Sequence, residues 1–381
     1  MANIFDYLSW RADVPLSVDP FNEVDNLVLS KLAYTDFEGA VPPDGDGISL
    51  REAHDRFFAH HTREEILRST VLTAKAPLLM EEMRDGARFG EMRLCRYLNE
   101  VDREKNEQIA AVTFLPEDGS VCVAFRGTDN TLTGWKEDFD LSYLARTPGQ
   151  QRAVDYLNET GRRFSGPIRV CGHSKGGNFA VYAASFCDRE IQDRIEAVYT
   201  NDGPGFRRET VGDPRYRRVL PRVYSILPDT SVIGRLLYND CRNRVVRSSA
   251  AGIYQHDGFS WEVRRNRFVK APPSEMGIFI DRTLDLWLIK MNDEERRSFT
   301  ETVFALLEAT GKETFSEITE KKLKSMETIA SSLRDIPKER QRELIRFIGE
   351  LLQCSRRSAA AQLKMIRPAK TDRAAGPQDP K

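Results

Sequence analysis

Long apolar runs are missing from these 381 residues. No uninterrupted stretch approaches the roughly 20 residues that a spanning helix needs, so helical insertion in a membrane is not expected. Neither sign of charge is in excess: 57 Lys and Arg face 58 Asp and Glu, a formal net charge of -1. That balance argues against a nucleic-acid footprint and against an acidic tail. The opening stretch from Met1 to Pro15 lacks a basic region followed by an apolar core, so a secretory signal is not expected. The 6 cysteines include no Cys-x-x-Cys pair, and several sit inside apolar runs, which suggests buried free thiols in a reducing compartment. These absences together describe a cytoplasmic globular protein. Asp44 and Asp46 begin like a calcium loop, but Ile48 stands where a third ligand belongs and no distal Glu follows. No metal and no cofactor are expected.

What is present divides the chain into four parts. Residues 1–85 read as helices that pack on a core. Val24, Leu27, Leu29, Leu32 and Ala33 recur at helical spacing, and Ser49 with Glu52 and Thr62 with Glu65 form capping boxes. Residues 86–271 read as the core, with strands in 91–126, the last two joined by a hairpin at Pro116 to Gly119. A helical stretch at 149–164 follows, then the strand that contains Val170. Two more strands end near Asp202 and Asp229, and a β-rich segment covers 244–263. This alternation predicts an α/β fold: a mostly parallel sheet with helices on both faces, N-terminal helices and a C-terminal helical extension. Residues 272–366 are helical in pattern, with starts at Asn292 and near Pro337, and their apolar stripe is expected to pack on the body or on itself. A protein partner, a second copy or a peripheral membrane contact is the alternative for these helices. Residues 367–381 are polar and proline-containing and are expected to be disordered.

Gly172-His173-Ser174-Lys175-Gly176 lies between an apolar strand and a helical stretch. A Gly-x-Ser-x-Gly turn there lifts the serine Oγ out of the backbone, and small neighbours are needed because the turn is tight. A serine hydroxyl needs a base, and histidine is scarce, with 5 in the chain. His54, His60 and His61 lie upstream in a helical segment, and His173 should point away from Oγ. His256 alone follows Ser174 at a distance, in the order Ser, acid, His, which is that of α/β-hydrolases. Two strand-end carboxylates compete for the acid. Asp229 is preferred because it ends the second strand after the turn, and Asp202 is the alternative. Oxyanion donors are expected from the backbone N–H of Lys175 and from Thr128 in Arg126-Gly127-Thr128-Asp129.

Phe125-Arg126-Gly127-Thr128, Trp135 and Asp138, followed by GHSKGG, Asp229 and His256, resemble the class 3 lipase branch of the α/β-hydrolases. Within it the chain is similar to an uncharacterised bacterial cytosolic group, over roughly residues 20–265. The resemblance implies Ser174 as nucleophile, Asp229 as acid, His256 as base, and Thr128 with Lys175 as the oxyanion hole. Arg126, Trp135 and Asp138 would brace the loop. Two departures from the pattern stand out: Asn178 replaces a small residue, and Lys175 puts a long cation at the expected mouth of the site. The segment 134–147, where a lid would lie, is charged, so no apolar lid is expected. The function expected is a serine hydrolase acting on an ester or lipid. An acyltransferase or thioesterase on the same triad, or a vestigial hydrolase working through its C-terminal helices, are the alternatives.

Overall fold

The computed structural model describes residues 1–366 apart from 70, 71, 130, 273, 315, 316 and 319–321. The expected disordered tail, 367–381, lies outside the described residues. Ile4–Arg11 (α1) and Glu23–Leu32 (α2) start on asparagine caps. The Asn3 and Asn22 side chains accept from first-turn N–H groups while Asp6 and Asp25 reach back to the cap N–H, which satisfies donors the helix itself leaves open. Leu50–Phe58 (α3) and Arg63–Arg68 (α4) are capped by Ser49 and Thr62, and Leu78–Met83 (α5) follows.

Eight strands form one sheet in sequence order: Ile48–Ser49 (β1), Arg93–Asp102 (β2), Glu107–Leu115 (β3), Val121–Phe125 (β4), Ile168–His173 (β5), Ile195–Asn201 (β6), Val223–Pro228 (β7) and Asn243–Val246 (β8). Neighbours from β1 to β4 are antiparallel and those from β4 to β8 parallel. The β3–β4 turn is the expected hairpin, with Gly119 at φ +78 and the Asp118 carboxylate accepting from Ser120 N at 3.0 Å.

The order of the parallel strands has a consequence for coverage. Each of them steps one place in the same direction, so right-handed crossovers set the connecting helices on one face. Those helices are Leu132–Asp140 (α6), Pro148–Arg163 (α7), Lys175–Phe186 (α8), Arg189–Asp193 (α9), Arg208–Gly212 (α10) and Pro214–Val219 (α11). Leu157, Phe179 and Val219 from this layer bury Val121, Val123, Phe125 and Val170. Alternate residues of the same strands, Cys122, Ala124, Cys171 and Tyr199, face the other way, as a period of two requires. The N-terminal helices cover that second face through Leu27, Val28 and Leu32. Buried Arg88 locks them together, donating from Nε to Asp25 at 2.9 Å and from Nη1 to the Asp19 carbonyl at 2.7 Å. The sheet covered on both faces is the α/β-hydrolase-type arrangement expected.

The segment 244–263 differs from its β-rich reading. Only β8 and the short pair Val263–Arg264 (β9) and Arg267–Phe268 (β10) are strands; between them run 3-10 turns at Gly252–His256 and Gly258–Ser260. Small and polar residues from Ser248 to Gly252 offer no alternating apolar face, and side chains hold the loop instead: Trp261 Nε1 donates to the Gln255 carbonyl at 2.9 Å.

The C-terminal region contains Glu275–Lys290 (α12), Asp293–Glu308 (α13), Lys322–Asp335 (α14) and Lys338–Ile366 (α15). Of these, α12, α13 and α15 meet one another through Trp287, Phe299 and Phe347, whose rings pack edge-on with centroids 6.0 and 5.7 Å apart. They meet the body where Phe304 packs on Phe139 and Arg296 Nη1 donates to the Ser142 carbonyl at 2.9 Å. Among the described residues no helix is long and apolar enough to cross a membrane.

Candidate active site

Ser174 sits between β5 and α8 with φ +58 and ψ -133, a left-handed conformation costly for a side-chain-bearing residue. The turn is tight enough that a Cβ on Gly172 would lie 2.1 Å from the Gly176 carbonyl oxygen. His256, at the end of its 3-10 turn, brings Nε2 to 3.0 Å from Ser174 Oγ. Its Nδ1 lies 2.6 Å from Asp202 Oδ2. With an ionised carboxylate at Nδ1, the neutral ring carries its proton there and leaves Nε2 free to accept from the serine hydroxyl. Asp202 is buried, has φ +51, and receives the Ser231 hydroxyl on its other oxygen.

Asp229, the preferred acid from sequence, does not contact His256. Its Oδ1 accepts from Ser274 N at 2.7 Å, and its carbonyl accepts from Arg235 Nη2 at 3.1 Å, so it fastens the start of α12. Topology accounts for the difference. β6 is the direct neighbour of β5, and Asp202 continues it, donating its N–H to the Ile226 carbonyl at 2.7 Å. Asp229 follows β7, one strand farther from Ser174, a displacement of about 4.8 Å.

Lys175 also differs from expectation. Its side chain is fully buried rather than at a mouth, with Nζ donating to Glu137 Oε2 at 2.9 Å and to the Gln108 carbonyl at 3.0 Å. Glu137 in turn accepts from Gln108 N and Gly149 N, so this pair ties α6, α7 and β3 to the start of α8. Asn178 is likewise structural: it accepts from Gln150 and donates to the Gly205 carbonyl at 2.8 Å, shaping the loop that follows Asp202. The loop with Thr128 lies against Ser174, since a Cβ on Gly127 would come within 2.9 Å of Ser174 Cβ. The Thr128 hydroxyl donates to Asp138. Burial pushes the Asp138 carboxyl up to about 6, with Lys175 and the Thr128 hydroxyl pulling it back in part.

A layer behind His256 was not anticipated. His173 Nε2 lies 2.8 Å from the His256 carbonyl oxygen and its Nδ1 lies 3.0 Å from Tyr34 Oη. The carbonyl accepts, so Nε2 carries the proton and Nδ1 accepts from the tyrosine. Burial, then Lys31, holds the His173 pKa well below its usual value, which keeps the ring neutral in this role. Lys31 is buried with Nζ 3.3 Å from Asp257 and 4.5 Å from the Phe259 ring centroid. Burial lowers its pKa and Asp257 raises it in part. Three side chains thus hold the loop that carries His256. A signal existed in the sequence: Lys31 interrupts the apolar stripe of α2, seven residues after Val24 and four after Leu27.

Beside Ser174 and His256 opens a cavity of about 270 Å³. Phe139, Ile233 and Leu237 from the body line it, and Trp287, Met291 and Phe299 from α12, α13 and their connection roof it. An apolar cover therefore exists: the C-terminal helices supply it, while Trp135 and Phe139 of the segment 134–147 line the same cavity. A larger cleft of about 740 Å³ between α7, α8 and α10 is lined by charged residues such as Arg146, Asp155 and Arg215 and contains neither Ser174 nor His256.

The family model described as Mbeg1-like matches residues 83–305. Among solved structures, the crystal structure of M37 lipase aligns with 55% of this chain and 68% of its own, at 14% identity and a TM-score of 0.32. No curated protein matches the chain.

Proposed function

The chain belongs to the Mbeg1-like family, and we propose that it is a lipase-like serine hydrolase that cleaves carboxylic esters of medium-length acyl chains. The observation that carries this reading is the continuous contact Ser174–His256–Asp202, with Ser174 and His256 lining a mostly apolar cavity. Ser174 Oγ attacks the ester carbonyl as its proton passes to His256 Nε2, and Asp202 stabilises the imidazolium through Nδ1–H. The oxyanion is received by backbone N–H groups of Thr128 and Lys175, the latter at the start of α8, where first-turn donors lack partners within the helix. Collapse expels the alcohol, which takes the proton from His256. Water then repeats the cycle on the acyl-enzyme and releases the acid. Strain at Ser174 and Asp202 favours this over a vestigial site, because such conformations persist only where the surroundings enforce them.

At roughly 30 Å³ per water-sized group, the cavity holds about nine such groups, an acyl chain of about eight carbons. The test is a fluorophosphonate probe together with p-nitrophenyl esters of graded length. Folded protein should be labelled at Ser174, and Ser174→Ala should not. kcat/KM should peak near octanoate, and Trp287→Ala should move the optimum to longer chains. Absence of labelling would overturn the hydrolase reading; a flat chain-length profile would overturn the acyl pocket.

A further inference from the structure

The terminal helix α15 carries a face that neither the fold nor the proposed chemistry uses. Ile345, Ile348 and Leu352 are 68%, 50% and 58% exposed, and their spacing of three and seven residues sets them in one stripe. The opposite side of the helix serves the fold. Phe347 and Cys354 are buried there, Trp287 Nε1 donates to the Phe347 carbonyl at 3.3 Å, and Ser298 donates to Glu343 at 2.6 Å.

Charge is sorted in the same way. Within about 90° of the centre of the stripe, at 3.6 residues per turn, the charged residues are Lys338, Arg342 and Arg356. All three are exposed. Glu339, Glu343 and Glu350 lie beyond about 140°, and Glu343 accepts from Ser298 of α13. A face that joins aliphatic side chains to cations and excludes carboxylates complements an anionic bilayer, with the aliphatic groups at the acyl boundary and the cations at the phosphates. Pairing with a second copy would set like charges against one another. The helix lies outside the residues matched to the family, 83–305, and it backs α12 and α13, which roof the cavity at Ser174.

We propose that the Ile345–Ile348–Leu352 face of α15 docks this protein on an anionic phospholipid surface, which sets the roof of the Ser174 cavity close to the membrane. The docking does not require the proposed hydrolysis. Full-length Ser174→Ala protein, in which vesicle lipid is not turned over, is sedimented with phosphatidylcholine vesicles with or without phosphatidylglycerol. It should partition onto the anionic vesicles and release as salt is raised. Replacing Lys338, Arg342 and Arg356 together by Gln should weaken partitioning roughly a hundredfold. Ile345→Ser, Ile348→Ser and Leu352→Ser together should abolish it, with unchanged melting temperatures because all six positions are exposed. Equal binding to neutral vesicles, no binding of folded protein to either vesicle, or variants that bind like the parent would overturn the proposal. So would a dimer that the serine variant dissolves. The assay reads no turnover, so a failure of the hydrolase reading leaves its result intact, and the reverse also holds.

Discussion

Asp202→Asn separates the two candidate acids most sharply. The aspartate accepts a hydrogen bond from His256 Nδ1–H across 2.6 Å. An asparagine amide turned toward that nitrogen donates instead, which forces the ring proton onto Nε2. That nitrogen faces Ser174 Oγ at 3.0 Å, and a protonated Nε2 accepts nothing from the hydroxyl. The same tautomer error in a serine protease lowers kcat about 10⁴-fold. That corresponds to about 5 kcal/mol of barrier. Asp229→Asn keeps an Oδ1 for Ser274 N and leaves the backbone carbonyl that receives Arg235. It should change kcat by less than about twofold and cost at most about 1 kcal/mol of stability, the range of one hydrogen bond. Steady-state hydrolysis of a soluble octanoyl ester, with melting curves to show that both variants fold, gives the comparison. Equal losses in the two variants, or an Asp202→Asn enzyme within tenfold of the parent, would refute the assignment of the acid.

Lys31→Met leaves Asp257 without its partner behind the base loop. Urea unfolding should lose about 3 kcal/mol, and kcat should fall with KM held, because Lys31 stands behind His256 and not in the cavity. The double variant with Asp257→Asn should cost less than the sum of the singles; additivity would rule out the coupling. Asp138 offers a pH test. Its folded pKa, raised from 3.8 to about 6 chiefly by burial, means that the folded state holds this proton more tightly than the unfolded chain. Its contribution to stability is therefore complete below the unfolded value and is lost as pH rises through about 6, by up to about 3 kcal/mol. Asp138→Asn should flatten the stability profile across that window, and parallel profiles for variant and parent would contradict the burial of an ionising carboxyl.

How much of this was legible from residue order depended on the range of the signal. The turn at Ser174, the caps at Asn292 and Thr62 and the hairpin at Gly119 are local, since a few adjacent residues determine each. His256 was singled out by elimination, because few histidines exist, and it does lie 3.0 Å from Ser174 Oγ. The choice between Asp202 and Asp229 was not legible in the same way. Both end apolar strands, and only the register of β6 beside β5 shows which one the base loop reaches. Lys175 was misplaced because its position after the nucleophile suggests exposure, while its partners Glu137 and Gln108 lie on α6 and β3 and leave no mark near residue 175. The roof was sought at 134–147 because sequence proximity pointed there. Trp287, Met291 and Phe299 look like ordinary helical core residues until the helices are folded back over the cavity.

The two helical ends of the chain can be understood from the order of the strands. A sheet whose parallel strands advance in one direction receives crossover helices on one face only, so Cys122, Ala124, Cys171 and Tyr199 would be bare without another layer. The N-terminal helices supply that layer, and α2 passes beneath the carboxyl ends of β4 to β6, where the loops with Ser174, Asp202 and His256 meet. Lys31 and Tyr34 are therefore carried to the back of the base loop by the same packing that closes the core. At the front, the loops leave Phe139, Ile233 and Leu237 around Ser174, an apolar surface that the sheet cannot cover. Asp229, which does not contact the base, anchors Ser274 and so sets where α12 departs and how Trp287 comes to lie over that surface. The carboxylate that does not reach His256 thus positions the roof of the cavity beside Ser174.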